Sequence, residues 1–320
     1  MLVLWAHQGN VFYRSPEAYL RGGLFYFGTW GVLIFFGLSG LLITKLLLEE
    51  HTRTGGIDLK GFYIRRAFRI LPPMLVYLAV VAAAGLLQSG REVWSCLFFF
   101  RNYLPWQLGG WYSGHLWSLS VEEHFYLFWP ALLIWFGVRR AWIPAVLVSL
   151  ACAGWRWYLN SAPGDGRTDF RLDSLLLGAA LAFVLDSPWL ARLLNPAAWV
   201  VAMGLLFGAI WLDLRLCSSL LIPLLIAGTV IHPKWPLSRA LDWAPLRRLG
   251  RISYSLYLWQ QLFLYPPWQP MPTGWAQKFP VSLAAAFACA TVSYYLVERP
   301  LIRVGRRLAI SLLSREPALV

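Results

Sequence analysis

Long apolar runs, parted by short loops rich in arginine and lysine, fill nearly the whole chain and leave it few folds to choose from. A helix that crosses a bilayer needs about 20 mostly apolar residues. With no water in the hydrocarbon, each backbone N–H and C=O must be bonded inside the protein. Of 320 residues, 58% are hydrophobic and 13% charged, the balance of an integral membrane protein. The apolar segments fall at about Phe27–Leu48, Pro72–Leu87, Trp117–Gly137, Trp142–Leu159, Leu172–Leu185, Pro196–Leu212, Leu216–Ile231, Ile252–Tyr265 and Val281–Val297. What lies between them leaves no room for a soluble domain of ordinary size. The fold class is therefore all-α, a polytopic membrane helical bundle.

Basic residues set the expected topology. A formal charge of +13 would suggest nucleic acid as the partner of a soluble protein. Here the cations cluster between apolar segments, the pattern of cytoplasmic loops facing anionic headgroups. Membrane lipids are thus the expected partners and nucleic acid is not. Lys60–Arg69, Arg139-Arg140, Lys234–Arg251 and Arg299–Arg307 all fall on the cytoplasmic side if Val93–Leu104 lies at the surface or re-enters without crossing. That gives about ten crossings with both termini cytoplasmic. Met1–His7 is apolar but too short to cross, so the first helix reads as truncated or as entering only part of the bilayer. No cleavable signal peptide, repeat or linker is visible, and residues 1–320 read as one membrane domain with no appended soluble domain. Nineteen Trp and fourteen Tyr suit interfacial belts. Cys96, Cys152, Cys217 and Cys289 lack metal-ligand spacing and read as packing residues. No metal site is expected.

The stretch from His115 to Pro130 puts two carboxylates and two histidines at the mouth of a segment that runs apolar to Phe136. A charge at the centre of a bilayer helix costs about 2.5–3.5 kcal/mol, so a chain that keeps one there uses or pairs it. At helical spacing Ser118, Glu122 and Phe125/Tyr126 share a face, while Glu123 points about 100° away. The two carboxylates are therefore not a dyad, and Glu122 is expected to face the interior.

Four other places carry polar chemistry. His7 is either a helix-end histidine satisfied by headgroups or a general base able to take a proton from a hydroxyl. Arg65, Arg66 and Arg69 either anchor the cytoplasmic face or bind phosphates; Arg65 and Arg69, one turn apart, can converge on one anion. In Thr168–Ser174, Asp169 or Asp173 can cap a helix with Arg171 snorkelling, or the group can line an outward-facing polar pocket. In Gly250–Gln261, the hydroxyls and amides either bond between helices or wall a substrate site.

The runs FFGLSGLLITKLL, FYIRRAFRILPP, HLWSLSVEEHFYLFWP, FRLDSLLLGAALA, LGRISYSLYLWQQ and YYLVERPLIR occur here in the order seen in the acyltransferase-3 family, which the chain resembles over essentially its full length. The resemblance implies an enzyme: an integral-membrane O-acyltransferase that takes an acyl group, usually acetyl, from cytosolic acyl-CoA to a hydroxyl of a carbohydrate or related acceptor. Acyl-CoA is then a co-substrate and no cofactor is tightly bound. His7 matches the family's catalytic histidine, Glu122 the signature glutamate, and Arg65 and Arg66 the basic pair tied to the donor; Arg69 joins them. Arg171 and Asp173 match a polar pair, and with Trp117, Ser118, Tyr254 and Gln260 they are the expected acceptor-binding residues. The pattern departs at two points: the arginine expected about three turns before His7 is absent, and Gln260 stands where the family often has histidine. A transporter or flippase of lipid-linked glycan, or a non-catalytic member of a polysaccharide-modifying complex, shares the membrane features.

Overall fold

A computed structural model describes residues 2–9, 24–105, 108–161, 165–211, 214–265 and 274–313, and among these the regular structure is helical. In chain order the helices are α1 (Leu2–Gly9), α2 (Leu24–Thr54), α3 (Leu59–Ala83), α4 (Gly90–Leu97), α5 (Trp111–Gly114), α6 (Leu116–Phe136), α7 (Trp142–Tyr158) and α8 (Thr168–Ala182). They continue as α9 (Pro188–Leu193), α10 (Pro196–Trp211), α11 (Arg215–Ile231), α12 (Pro236–Leu241), α13 (Ala244–Arg251), α14 (Ser253–Phe263), α15 (Val281–Ser293) and α16 (Arg299–Leu313). Gly28–Thr54, Leu59–Ala83 and Val281–Leu312 are long and apolar enough to cross a membrane, and Pro196–Ala209 and Leu216–Ile231 are shorter apolar helices. Length and composition thus support a polytopic bundle.

Two basic stretches that the sequence places outside the apolar spans are helix. Asp58 starts α3 by accepting the Gly61 N–H at 2.8 Å, so Arg65, Arg66 and Arg69 ride on the first turns of a helix that continues through Pro72-Pro73. Proline is tolerated inside membrane helices where neighbours re-satisfy the freed carbonyls; just past the Phe68 and Arg69 carbonyls, whose i+4 donors the two prolines lack, Tyr254 donates its hydroxyl to the Ile70 carbonyl at 2.8 Å. The helix stops at Gly85, in the left-handed region at φ +67°, with Gly85 N–H to Ala82 O and Leu86 N–H to Val81 O. At the other end, α15 leads through a single π turn, Tyr294–Glu298, into α16. Pro300 has no N–H for the helical ladder, and the wider turn falls where that donor is missing. Val93–Leu104 does not form a spanning helix: α4 ends at Leu97, and a 3₁₀ turn follows at Arg101–Tyr103.

The chain divides into two compact units, each made of segments far apart in sequence. The first comprises Met1–Gly28, Asp58–Leu116 and Arg248–Val320, the second Thr29–Ile57 and Trp117–Arg247. In the first, α3 packs along α16 and α14 along α15; Leu4, Leu256, Leu264, Ala286 and Ala290 form a core. In the second, α7 packs on α8 and α11 on both α8 and α10; Leu41, Ala182, Leu185, Leu190, Leu194 and Ala227 form its core. Cys96 and Cys152 are buried as packing residues should be, but Cys217 is exposed on α11, which corrects the packing assignment there.

Glycine sets how closely α2 meets α8. A Cβ on Gly40 would lie 1.9 Å from the Leu175 carbonyl oxygen, and one on Gly178 would lie 2.3 Å from the Gly37 carbonyl oxygen. Both clashes are with backbone, which cannot swing aside, as in other bilayer interfaces built on small residues. Gly178→Ala and Gly40→Leu should therefore each destabilise the protein by about 1–3 kcal/mol or more. Gly154→Ala on α7, where a Cβ meets open space, should be neutral or slightly stabilising. Thermal unfolding in detergent checks this; equal midpoints for Gly154→Ala and Gly178→Ala would contradict the packing.

Candidate active site

In the first unit His7 sits near the end of α1, its ring edge-on to Trp111 with centroids 5.5 Å apart at 61°. Its Nδ1 is buried and has no hydrogen-bond partner among the described residues. Trp111 is itself tied down: its indole N–H donates to Gln261 O at 3.1 Å, and Gln261 Nε2 donates to Trp111 O at 2.9 Å. One turn later, His115 packs against Tyr77 and Tyr257 at 5.4 and 5.0 Å between centroids. Gln260, 1% exposed, lies on the stripe Leu256–Gln260–Leu264 whose leucines share a core with Leu4, Ala286 and Ala290. Its Oε1 is buried without a partner among the described residues, an expensive state for an amide unless something bonds it. Tyr254 donates its hydroxyl to the α3 backbone, a bond between helices.

The arginines of α3 stand apart in their surroundings. Arg65 lies 3.8 Å from the Asp58 carboxylate with about a third of its side chain exposed. Arg66 covers the Phe62 ring at 5.7 Å, and Arg69 is exposed. A half-exposed ion pair is worth about 0–1 kcal/mol, so Asp58 holds Arg65 only weakly.

In the second unit Glu122 is 4% exposed, on the inward face that helical spacing predicts, with Glu123 half-buried beside it. It accepts hydrogen bonds from Ser39 Oγ at 2.7 Å and from the Tyr126 hydroxyl one turn along. Ser118, one turn earlier, is buried. Trp117 is held on several sides: Phe36 meets it edge-on at 6.2 Å, the Arg171 guanidinium lies 5.9 Å from its ring, and Gly166 leaves no room for a Cβ against it.

Around Arg171 and Asp173 the capping and snorkelling alternatives do not hold. Asp173, 0% exposed, pairs with Arg156 at 3.0 Å, and the same guanidinium donates to Phe170 O. Arg171 is 4% exposed and donates Nε–H to Asp165 O at 2.7 Å, so it does not snorkel. Neither Asp169 nor Asp173 caps α8: the helix begins at Thr168 after Arg167 with no side-chain cap, which puts Asp173 in the second turn. Arg156 was missed because it lies between Trp155 and Trp157 in an apolar run; a lone charge in such a run was the signal. Among the described residues no three His, Cys, Asp or Glu side chains are grouped to hold a metal.

The family model described as "Acyltransferase domain" matches residues 1–298. A candidate O-acetyltransferase of Staphylococcus aureus strain COL is 31% identical over 299 residues, covering 78% of this chain and 48% of that protein. O-acetyltransferase OatA of S. aureus strain NCTC 8325 is 28% identical over 350 residues, covering 93% of this chain and 55% of that protein. The chain thus spans about half the length of the curated relatives it matches. No solved structure matches.

Removing one member of a buried pair strands the other, at a cost of about 3–5 kcal/mol, whereas replacing both is far cheaper. Arg156→Ala should therefore lower the unfolding midpoint sharply, and Arg156→Leu combined with Asp173→Asn should recover much of the loss. A double variant as unstable as Arg156→Ala would argue against the pairing.

Proposed function

The chain belongs to the acyltransferase-3 family, and on that premise we propose that it is a multi-pass inner-membrane O-acetyltransferase. It moves an acetyl group from cytosolic acetyl-CoA to a hydroxyl of a carbohydrate or related acceptor. It crosses the bilayer about ten times as a single domain, with both termini cytoplasmic. The acceptor oxygen attacks the thioester carbonyl while His7 takes its proton; the C–S bond breaks, and the imidazolium returns that proton to the CoA sulfur. Glu122 is assigned as the second catalytic residue, a carboxylate of the kind that supports a histidine base. Arg65, Arg66 and Arg69 hold the nucleotide phosphates, for which guanidinium forks are suited. Trp117, Ser118, Arg171, Asp173, Tyr254 and Gln260 contribute to the acceptor site. Transfer is direct, since the sequence offers no obvious nucleophile to carry the acetyl group.

The observation that carries this reading is the seating of His7. A half-buried imidazole whose Nδ1 is buried with no partner among the described residues, packed against a tryptophan bonded at both its indole N–H and its backbone carbonyl, is built to hold one orientation. Such a nitrogen is available to a guest hydroxyl. The arginines of α3 support the donor role because the partly exposed ion pair between Arg65 and Asp58 is weak.

The test uses the purified protein in nanodiscs with radiolabelled acetyl-CoA and crude cell-envelope glycan. Label should pass to the glycan, and His7→Ala should abolish transfer while the protein still inserts and purifies as a single species. Label remaining wholly in acetyl-CoA, with lipid-linked glycan translocated by the same protein in sealed proteoliposomes, would assign a transporter. Turnover retained in His7→Ala would remove the histidine from the mechanism.

A further inference from the structure

Trp111–Gly114 is a single helical turn, yet the carbonyls in and beside it are held by side chains from several elements. Arg101 Nη2 donates to Gly110 O at 3.3 Å, Gln261 Nε2 to Trp111 O at 2.9 Å, and the Tyr77 hydroxyl to Tyr112 O at 2.6 Å. Tyr257 donates its hydroxyl to His115 O. Behind the turn lies a buried ionic cluster. Glu92, 0% exposed, accepts the Gly110 N–H at 2.9 Å and the Ser113 hydroxyl on Oε1, and the Gln88 N–H at 2.7 Å on Oε2. Arg101, 2% exposed, donates Nε–H to Ser113 Oγ at 2.9 Å. Gly109 leaves it room, since a Cβ there would stand 2.6 Å from Nη2.

Apolar packing would bury this turn more cheaply, because desolvating a carboxylate and a guanidinium is costly and buried ion pairs are poor sources of stability. What they supply is direction. Apolar contact does not fix rotation, whereas charge-assisted bonds to N–H, C=O and hydroxyl groups do, and a fully satisfied network is rigid. The part of the turn that faces His7 is the Trp111 indole, and His115 follows on the same face at i+4. Resting on the assignment of His7 as the base, we propose that Glu92 and Arg101 are positioning residues: through Ser113 and Gly110 they lock the Trp111 turn as a seat that fixes the His7 imidazole. Neither touches the reacting atoms. A loosened seat lets the base drift, and a misplacement of about 1 Å can cost about a hundredfold in rate.

The test compares the full chain in nanodiscs with Glu92→Gln, Tyr77→Phe and Arg91→Gln. Tyr77→Phe removes a single hydroxyl from the clamp and leaves the ring, so it reports even if Glu92→Gln does not fold. Arg91 is exposed on α4 outside the cluster and serves as the control. One readout is the rate at which diethylpyrocarbonate modifies His7, followed by peptide mass spectrometry. The other is CoA release from acetyl-CoA, resolved into kcat and KM. His7 should be modified several-fold faster in Glu92→Gln and Tyr77→Phe and at the parent rate in Arg91→Gln. For Glu92→Gln, kcat should fall about tenfold or more while KM for acetyl-CoA stays within about twofold. Unchanged His7 modification in the folded variants would overturn the seat whatever the turnover. Faster modification with unchanged kcat, or a raised KM with kcat intact, would overturn its link to catalysis. Activity surviving in His7→Ala would sink the base assignment alone, because the modification rates still report on the seat.

Discussion

A carboxylate in the dry interior of a helical bundle is tolerable only if hydrogen-bond donors close around it, and that requirement organises both units. Glu122 is ringed by Ser39 and Tyr126, Asp173 by Arg156 and the Ser174 N–H, and Glu92 by two backbone N–H groups and Ser113. Each costs several kcal/mol to bury without partners. The donors come from segments far apart in sequence, so satisfying the carboxylates also specifies which helices meet. In the second unit the Glu122 bond from α2 to α6 spans 83 positions. In the first, Glu92 ties α4 to the turn that holds Trp111.

The sequence made the helical membrane class legible because hydropathy is additive along the chain and needs no tertiary information. It also revealed the inward face of α6, since Ser118, Glu122, Phe125 and Tyr126 recur at helical spacing and all four are buried. Boundaries were harder. Arg65–Arg69 and Arg299–Arg307 look like loops because charge and proline usually end a span, yet both continue as helix, the first from the Asp58 cap and the second from a π turn. Cap geometry and a π turn are decided by a few backbone bonds that hydropathy does not register.

Partner identity was the least legible. Arg171 and Asp173 sit two residues apart, which suggests a pair, but helical geometry points them different ways. Asp173 meets Arg156 of α7, while Arg171 turns to the Asp165 carbonyl and the Trp117 ring. The same holds for the clamp around Trp111: Tyr77, Arg101 and the pair Tyr257 and Gln261 come from three places in the chain and converge only in the fold. Residue types alone carried no sign of it.

If His7 and Glu122 serve the same chemical step, their effects on turnover cannot be independent. The direct measurement is kcat for acetyl transfer in His7→Ala, Glu122→Gln and the two combined. Groups that work as a unit are grossly non-additive, so the double variant should be no slower than His7→Ala alone. Losses that multiply, each substitution costing its full factor in the other's presence, would contradict the account.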